Sequence, residues 1–158
     1  MKINLKKKLD NIPEITAWQY NINEEKSSQI YLIKDKVEAF RETNTEEVEV
    51  IIYRELEGGK MGEASFYFTP VEEFQVDEKI ERALYIAGLT GQEPFKIAGP
   101  VYYPPLPLLD RKVAKNPLNL LKEFREILIK ALKNEGDIEL SSSECYISNK
   151  TTEFTNIR

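Results

Sequence analysis

Apolar and polar residues alternate most clearly in residues 61–68, where Ala64, Phe66 and Phe68 are separated by polar or less apolar positions. This period of two is typical of a strand with one buried face. The apolar run from Glu47 to Leu56 precedes it and predicts a partner strand. The glycines of the intervening Glu57-Gly58-Gly59-Lys60 can take the positive φ of a hairpin turn. The pattern therefore predicts an antiparallel hairpin with one covered face.

Four further segments have strand character. Ile15–Tyr20 is rich in β-branched and aromatic residues. Gln29–Ile33 and Lys36–Phe40 predict a tight pair that turns at Lys34-Asp35. The tail from Ile138 to Phe154 predicts a return to strand at the end of the chain.

Two segments have the helical period instead. Thr69-Pro70 followed by Glu72 indicates a helix entry, with a start anywhere between Pro70 and Asp77. Helically spaced apolar residues follow and end at two glycines; they are Val76, Ile80, Ala83, Leu84 and Ala87, then Gly88 and Gly91.

The second predicted helix is better marked. Asn116 is a candidate N-cap and Pro117 suits the first helical position. An apolar stripe follows and ends near Gly136; its members are Leu121, Phe124, Leu128 and Leu132.

Five of the eight prolines lie between the two helices and predict an extended crossover; they are Pro94, Pro100, Pro104, Pro105 and Pro107. The predicted fold class is α+β, a mostly antiparallel sheet built of hairpins and covered by two helices. We expect residues 1–158 to form a single lobe. Its parts are the hairpins and first helix (12–92), the Pro-rich crossover (93–116), and the second helix with C-terminal strands (117–158).

A short pattern occurs twice. Tyr31, Leu32 and Glu38 recur with the same spacing as Tyr146, Ile147 and Glu153. The first copy runs into the long apolar strand, whereas the second lies at the end of the sequence. This arrangement predicts that the 158 residues are the N-terminal lobe of a longer protein.

Composition and charge argue against nucleic-acid binding and membrane association. The 22 basic and 27 acidic residues give a net charge of -5, which opposes capture of nucleic acid or of an anionic membrane. Neither a signal peptide nor a membrane-spanning stretch is evident, and the single cysteine suits a reducing compartment. We expect a cytoplasmic protein with no nucleic-acid or membrane partner.

The sequence contains few candidates for catalytic or metal-ligating residues. Cys145 is the one thiol and the chain has no histidine, so no zinc-ligand set can be assembled. The acidic residues 42–49 and those of the first helix lack a calcium-loop signature. Glu38 and Glu153 could be an acid–base pair, but repeated strand positions explain them better. We predict no catalytic, cofactor-binding or metal-binding residue in this chain.

Two features could contact a partner. The run Tyr102–Pro107 has the composition of a polyproline ligand, although an ordered crossover explains it better. Open strand edges could accept an extended peptide by β-augmentation.

Three blocks carry a family resemblance: IYLIKDKVEAFRETNTEEVEVIIYRELEGGKMGEASFYF (30–68), IERALYIAG (80–88) and SSSECYISNKTTEFTNIR (141–158). With the proline-rich passage between the helices, they resemble the N-terminal region of the TldD/PmbA proteins. This family was long labelled modulators of DNA gyrase and is regarded as metallopeptidases. The resemblance runs from about Trp18 to Arg158, and Asn156 and Arg158 fit the family's terminal block. The lysine-rich MKINLKKKLD departs from the longer alanine-rich helix of many members.

The resemblance implies the function. Active members hold zinc with two histidines of an HExxxH helix and a distant cysteine, none of which this chain supplies. By this resemblance, the present chain would be a scaffold lobe that forms a wall of the substrate cavity or a dimer contact. The complete protein would cleave peptides as a homodimer or as a heterodimer with a paralogue. The alternatives are a stand-alone non-catalytic interaction domain and the lobe of an inactive partner subunit.

Overall fold

The computed structural model of the protein describes residues 4–94, 108, 110–134 and 140–157. Its elements are, in chain order, α1 (Leu5–Asp10), β1 (Ala17–Ile33), β2 (Lys36–Glu55), β3 (Met61–Phe68), α2 (Val76–Ala87), α3 (Arg111–Lys115), α4 (Pro117–Asn134) and β4 (Ser142–Ile157). Short 3₁₀ segments occupy Glu57–Gly59 and Pro70–Gln75. The four strands form one sheet in the order β3-β2-β1-β4. The predicted α+β class with an antiparallel sheet is confirmed.

Two strands are much longer than the sequence indicated. The segments predicted as separate strands at 15–20 and 29–33 are joined in the 17-residue β1, apart from residues 15 and 16. Those predicted at 36–40 and 47–56 are joined in the 20-residue β2, apart from residue 56. The polar residues between these segments were not predicted as strand, but they are part of β1 and β2. Strand pairing satisfies their backbone groups while their side chains stay in contact with solvent, so no apolar pattern is needed.

The predicted hairpin is confirmed. β2 and β3 pair antiparallel from Val48 opposite Phe68 to Glu55 opposite Met61. Gly58 and Gly59 both have positive φ, 76° and 74°, as expected of glycines in this turn. Ala64 and Phe68 are buried and Tyr67 is exposed, which is the predicted alternation.

The chain divides into two compact units, which are described separately. The first comprises residues 1–24, 46–102 and 151–158. Its core is formed by β1, β2, β3 and α2, with two leucines from α1. The buried residues of this core are Leu5, Leu9, Trp18, Val48, Val50, Ile52, Ala64, Phe68, Val76, Ile80, Ala83 and Ala87.

Helix α1 was not predicted. The side chain of Asn4 caps it by accepting a hydrogen bond from the Lys7 amide at 3.0 Å. Leu5 and Leu9 are one turn apart, so both point into the core and are 1% exposed. Asp10 also accepts a hydrogen bond from Trp18 Nε1 at 3.0 Å, which ties the end of α1 to β1.

The predicted entry of α2 is confirmed. The Thr69 amide donates to the Glu72 carboxylate at 2.9 Å, and the Glu72 amide donates back to the Thr69 carbonyl oxygen at 2.9 Å. The segment from Pro70 to Gln75 is 3₁₀, and the α-helix itself begins at Val76, inside the predicted window.

The second unit comprises residues 25–45 and 103–150. Ile30, Leu32, Leu121 and Ile147 form its core. The N-cap of α4 is confirmed, because the Asn119 amide donates to Asn116 Oδ1 at 3.2 Å.

Part of the predicted apolar stripe of α4 is wrong. Leu121 and Leu128 pack on the core of the second unit as expected, but Phe124 is 44% exposed and Leu120 packs there instead.

Helix α3 lies within the predicted crossover and was also not expected. Asp110 caps it by accepting from the Lys112 amide at 2.8 Å. The fold therefore has four helices among the described residues rather than two. The other proline positions from 95 to 107, including Tyr102–Pro107, and residues 135–139 lie outside the described residues.

Candidate functional site

In the second unit, strand alternation separates a core face from an outward face. Ile30 and Leu32 of β1 and Ile147 of β4 are buried on the core face. Neighbours in sequence point the other way, so Tyr31 and Tyr146 lie on the outward face. Tyr146 is 72% exposed.

A cavity of about 220 Å³ opens on this unit and is lined by three strands. Gln29 and Tyr31 come from β1, Ala39 and Arg41 from β2, and Glu144 from β4. Each lies at an outward position of its strand. The cavity thus brings together one cation, one anion, an amide and a phenol around the smallest lining side chain, Ala39.

The four polar lining side chains have no hydrogen-bond or ionic partner among the described residues. Arg41 and Glu144 line the same cavity but do not form an ion pair with each other. Gln29 is partly buried and could both donate and accept. The cavity therefore offers donors and acceptors that the protein itself does not use.

Other outward polar residues do pair across strands. In the second unit, the hydroxyls of Ser27 and Thr43 are 2.6 Å apart. In the first unit, Thr152 donates to Asn23 Oδ1 at 2.8 Å. Cross-strand polar pairs of this kind usually stabilise a sheet. The polar side chains that line the cavity form no such pair with each other.

A second polar cluster surrounds Glu49 in the first unit. Its carboxylate accepts a hydrogen bond from Asn21 Nδ2 at 3.0 Å and another from the Tyr67 hydroxyl at 2.5 Å. The hydrogen bond to Glu49 raises the pKa of Tyr67 above its ordinary value, and the charge of Glu49 adds to the effect. Both side chains are accessible to solvent.

The residues singled out in the sequence are placed as follows. Cys145 packs against the core of the second unit as a partly exposed strand residue. Glu38 and Glu153 are exposed on β2 and β4. Neither of them lines the cavity of Gln29, Tyr31, Ala39, Arg41 and Glu144.

The acidic residues near α2 have structural contacts. Glu72 caps the helix entry and lies 3.5 Å from Lys79 Nζ, and Asp77 forms an ion pair with Lys8. The backbone hydrogen bond from Thr69 lowers the pKa of Glu72. No group of three potential metal ligands among His, Cys, Asp and Glu is found within residues 4–94, 110–134 and 140–157.

Sequence reasoning missed the cavity residues apart from Tyr31. Arg41 was assigned to no element, and Gln29 and Glu144 were regarded only as strand positions. The pairing of β1 with both β2 and β4 brings the lining together, and strand order cannot be read from local pattern. The sequence indicates only that alternate residues of each strand lie on the same face of the sheet.

Comparisons with solved structures support the fold. The chain matches TldE from Thermococcus kodakarensis with a TM-score of 0.68 and 15% identity, over 97% of this chain and 34% of that one. The chain has the fold of this part of TldE. The resemblance to TldD/PmbA proteins inferred from the sequence is therefore confirmed at the level of the fold.

Two proteins described as proposed modulators of DNA gyrase have the same fold. The one from Bacteroides thetaiotaomicron has a TM-score of 0.68 at 16% identity, over 99% of this chain and 37% of that one. The one from Thermotoga maritima has a TM-score of 0.60 at 17% identity, over 89% and 31%. This chain spans about a third of the length of each structure that it matches. No protein-family model and no curated protein matches the sequence.

No helix among the described residues is long and apolar enough to cross a membrane.

Proposed function

We propose that this chain is the N-terminal scaffold lobe of a TldD/PmbA-type metallopeptidase. The observation that carries the proposal is the match of 97% of the chain to about a third of TldE. A fold shared at 15% identity supports a shared architecture, and the assigned activity rests on that likeness alone.

The zinc site of the complete protein would lie outside this chain. A peptidase zinc site of the HExxxH type needs two imidazoles on one helical face, and the 158 residues contain no histidine. In this proposal, the lobe contributes architecture, and the metal and its bound water belong to another part of the protein.

The lobe would form one wall of the substrate cavity or a dimer contact. β3 and β4 are the outer strands of the described sheet. The start of β3 is already covered, because Met61 and Gln92 exchange backbone hydrogen bonds at 3.0 and 2.9 Å. β4 pairs with β1 alone among the described strands, so it is the better edge for an extended peptide or for a second subunit.

The reading frame downstream of the Arg158 codon tests the proposal. We expect a further segment that encodes HExxxH and a distant cysteine. The complete protein should then hold one zinc ion per active subunit by elemental analysis and cleave peptides in a chelator-sensitive manner. The 158-residue chain serves as the matched control and should do neither.

Two other results would redirect the assignment. A stop codon after Arg158, with a stable zinc-free protein, would favour the stand-alone interaction domain. A longer protein whose HExxxH motif is degraded would favour the lobe of an inactive partner, and co-purification with an active paralogue would then be expected.

A further inference from the structure

The cavity lined by Gln29, Tyr31, Ala39, Arg41 and Glu144 has the composition of a ligand site. We propose that it binds a small zwitterion, an α-amino acid or a short peptide, through its carboxylate and its ammonium group. This inference does not rest on the proposed function, because every residue that it uses belongs to this chain.

The charges specify both ends of the ligand. The guanidinium of Arg41 presents paired N–H donors that match a carboxylate, and such contacts are charge-assisted. The carboxylate of Glu144 accepts hydrogen bonds and suits an ammonium group. A ligand with a single charge would leave one of the two without a partner.

The neutral side chains complete the site. Gln29 can donate to the carboxylate or accept from the ammonium group. Tyr31 supplies a ring wall and a hydroxyl, and neither Gln29 nor Tyr31 has a partner among the described residues. Ala39 leaves the space open, because a larger side chain at this outward position would occupy it.

Size limits the ligand. The cavity volume of about 220 Å³ is below the ~300 Å³ at which pockets for drug-sized ligands begin. A single amino acid or a dipeptide suits such a space better than a nucleotide or a folded partner. Because Arg41 and Glu144 are solvent-exposed, their contacts are screened, and we expect affinity in the millimolar range.

Backbone amide NMR titration of the purified protein tests the proposal. The probes are L-alanine, L-alanyl-L-alanine, propionate and ethylamine, each at up to about 10 mM. We expect saturable shifts near residues 29, 31, 41 and 144 with at least one of the two zwitterions. Propionate and ethylamine should each bind up to about fivefold more weakly, since each loses one screened charged contact.

Three variants separate binding from structure. R41M should reduce zwitterion binding up to about fivefold and abolish its preference over ethylamine. E144Q should reduce it by a similar factor and abolish its preference over propionate. A39L fills the cavity without changing its charge and should abolish the shifts. V37L changes another exposed position of β2 and should bind as the wild type does; its spectrum also controls for folding.

Comparison of L-alanine with L-alanyl-L-alanine shows whether the site prefers free amino acids or short peptides. Tighter binding of L-alanine would assign the site to free amino acids, and tighter binding of the dipeptide to short peptides. The proposal is overturned if no probe gives saturable shifts at these residues. Propionate binding as tightly as both zwitterions, or full binding by A39L, would also overturn it.

Discussion

Gly62 gives the sharpest test of how the first unit is packed. It lies in β3 and is buried where the strand meets the end of α2. A Cβ atom built on Gly62 would lie 1.8 Å from the Ala87 carbonyl oxygen and 2.7 Å from its carbonyl carbon. These are backbone atoms, so no change of rotamer can relieve the overlap and the helix itself would have to move.

The expected cost of G62A follows from that geometry. Overpacking of a well-packed core usually costs about 1–3 kcal/mol. Because the helix must shift, we place G62A at the upper end, about 3 kcal/mol of unfolding free energy. For a chain of this size, that corresponds to a fall in Tm of roughly 6–12 °C.

Urea unfolding followed by circular dichroism measures this cost. The matched control is G58A, because Gly58 has a φ of 76° and nothing within 4 Å of an added Cβ. It should lose only the conformational cost of the left-handed region, about 1–2 kcal/mol. G62A that is no less stable than G58A would refute the close approach of β3 and α2.

A double variant identifies the atoms involved. If the clash involves the backbone of Ala87, removing the Ala87 methyl group cannot relieve it. A87G should therefore not rescue G62A, and the double variant should be no more stable than G62A alone. Recovery of stability by A87G would show that side chains, rather than backbone atoms, are in contact.

Three further results are expected. L9A should reduce the unfolding free energy by about 2–5 kcal/mol in urea, because Leu9 is 1% exposed and its truncation leaves a cavity; a smaller loss would show that α1 is not docked. E72Q should lower the urea midpoint at neutral pH. The folded pKa of Glu72 is depressed by the Thr69 amide, so the carboxylate stabilises the fold above its unfolded pKa and loses this effect as pH falls through the folded pKa. Wild type and E72Q should therefore converge in acid, and a constant difference would contradict this origin. E49Q should lower the pKa of Tyr67 towards its ordinary value in a spectrophotometric titration, since the hydrogen bond to Glu49 raises it; an unchanged titration would exclude that bond in solution.

The strongly patterned parts of the fold could be predicted from the sequence. The β2–β3 hairpin has alternation, a glycine turn and an apolar partner strand, and all three agree. Helices α2 and α4 have both caps and period, so their starts were found within the expected windows. Local signals were sufficient there because they coincide with the tertiary contacts.

The remaining elements depend on tertiary contacts. The polar middle of β2, from Arg41 to Thr45, is exposed throughout, so its strand conformation has no apolar signature. It depends on pairing with a neighbouring strand. Helix α1 has only six residues, too few for a stable isolated helix, and its two leucines depend on the core that they contact. A short lysine-rich segment gives no local reason to expect such docking.

The repeated pattern in the sequence does not by itself predict the cavity. Leu32 and Ile147 occupy equivalent places in the two copies, and both are buried in the core of the second unit. Their neighbours Tyr31 and Tyr146 therefore both point outward, but only Tyr31 lines the cavity. The aliphatic positions of the repeat are architectural, whereas the tyrosine of one copy also lines the proposed ligand cavity with Arg41 and Glu144. The two copies became different because β1 is central in the described sheet and β4 is at its edge. A central strand has neighbours on both sides that can close a cavity around its outward side chains, and an edge strand has a neighbour on one side alone.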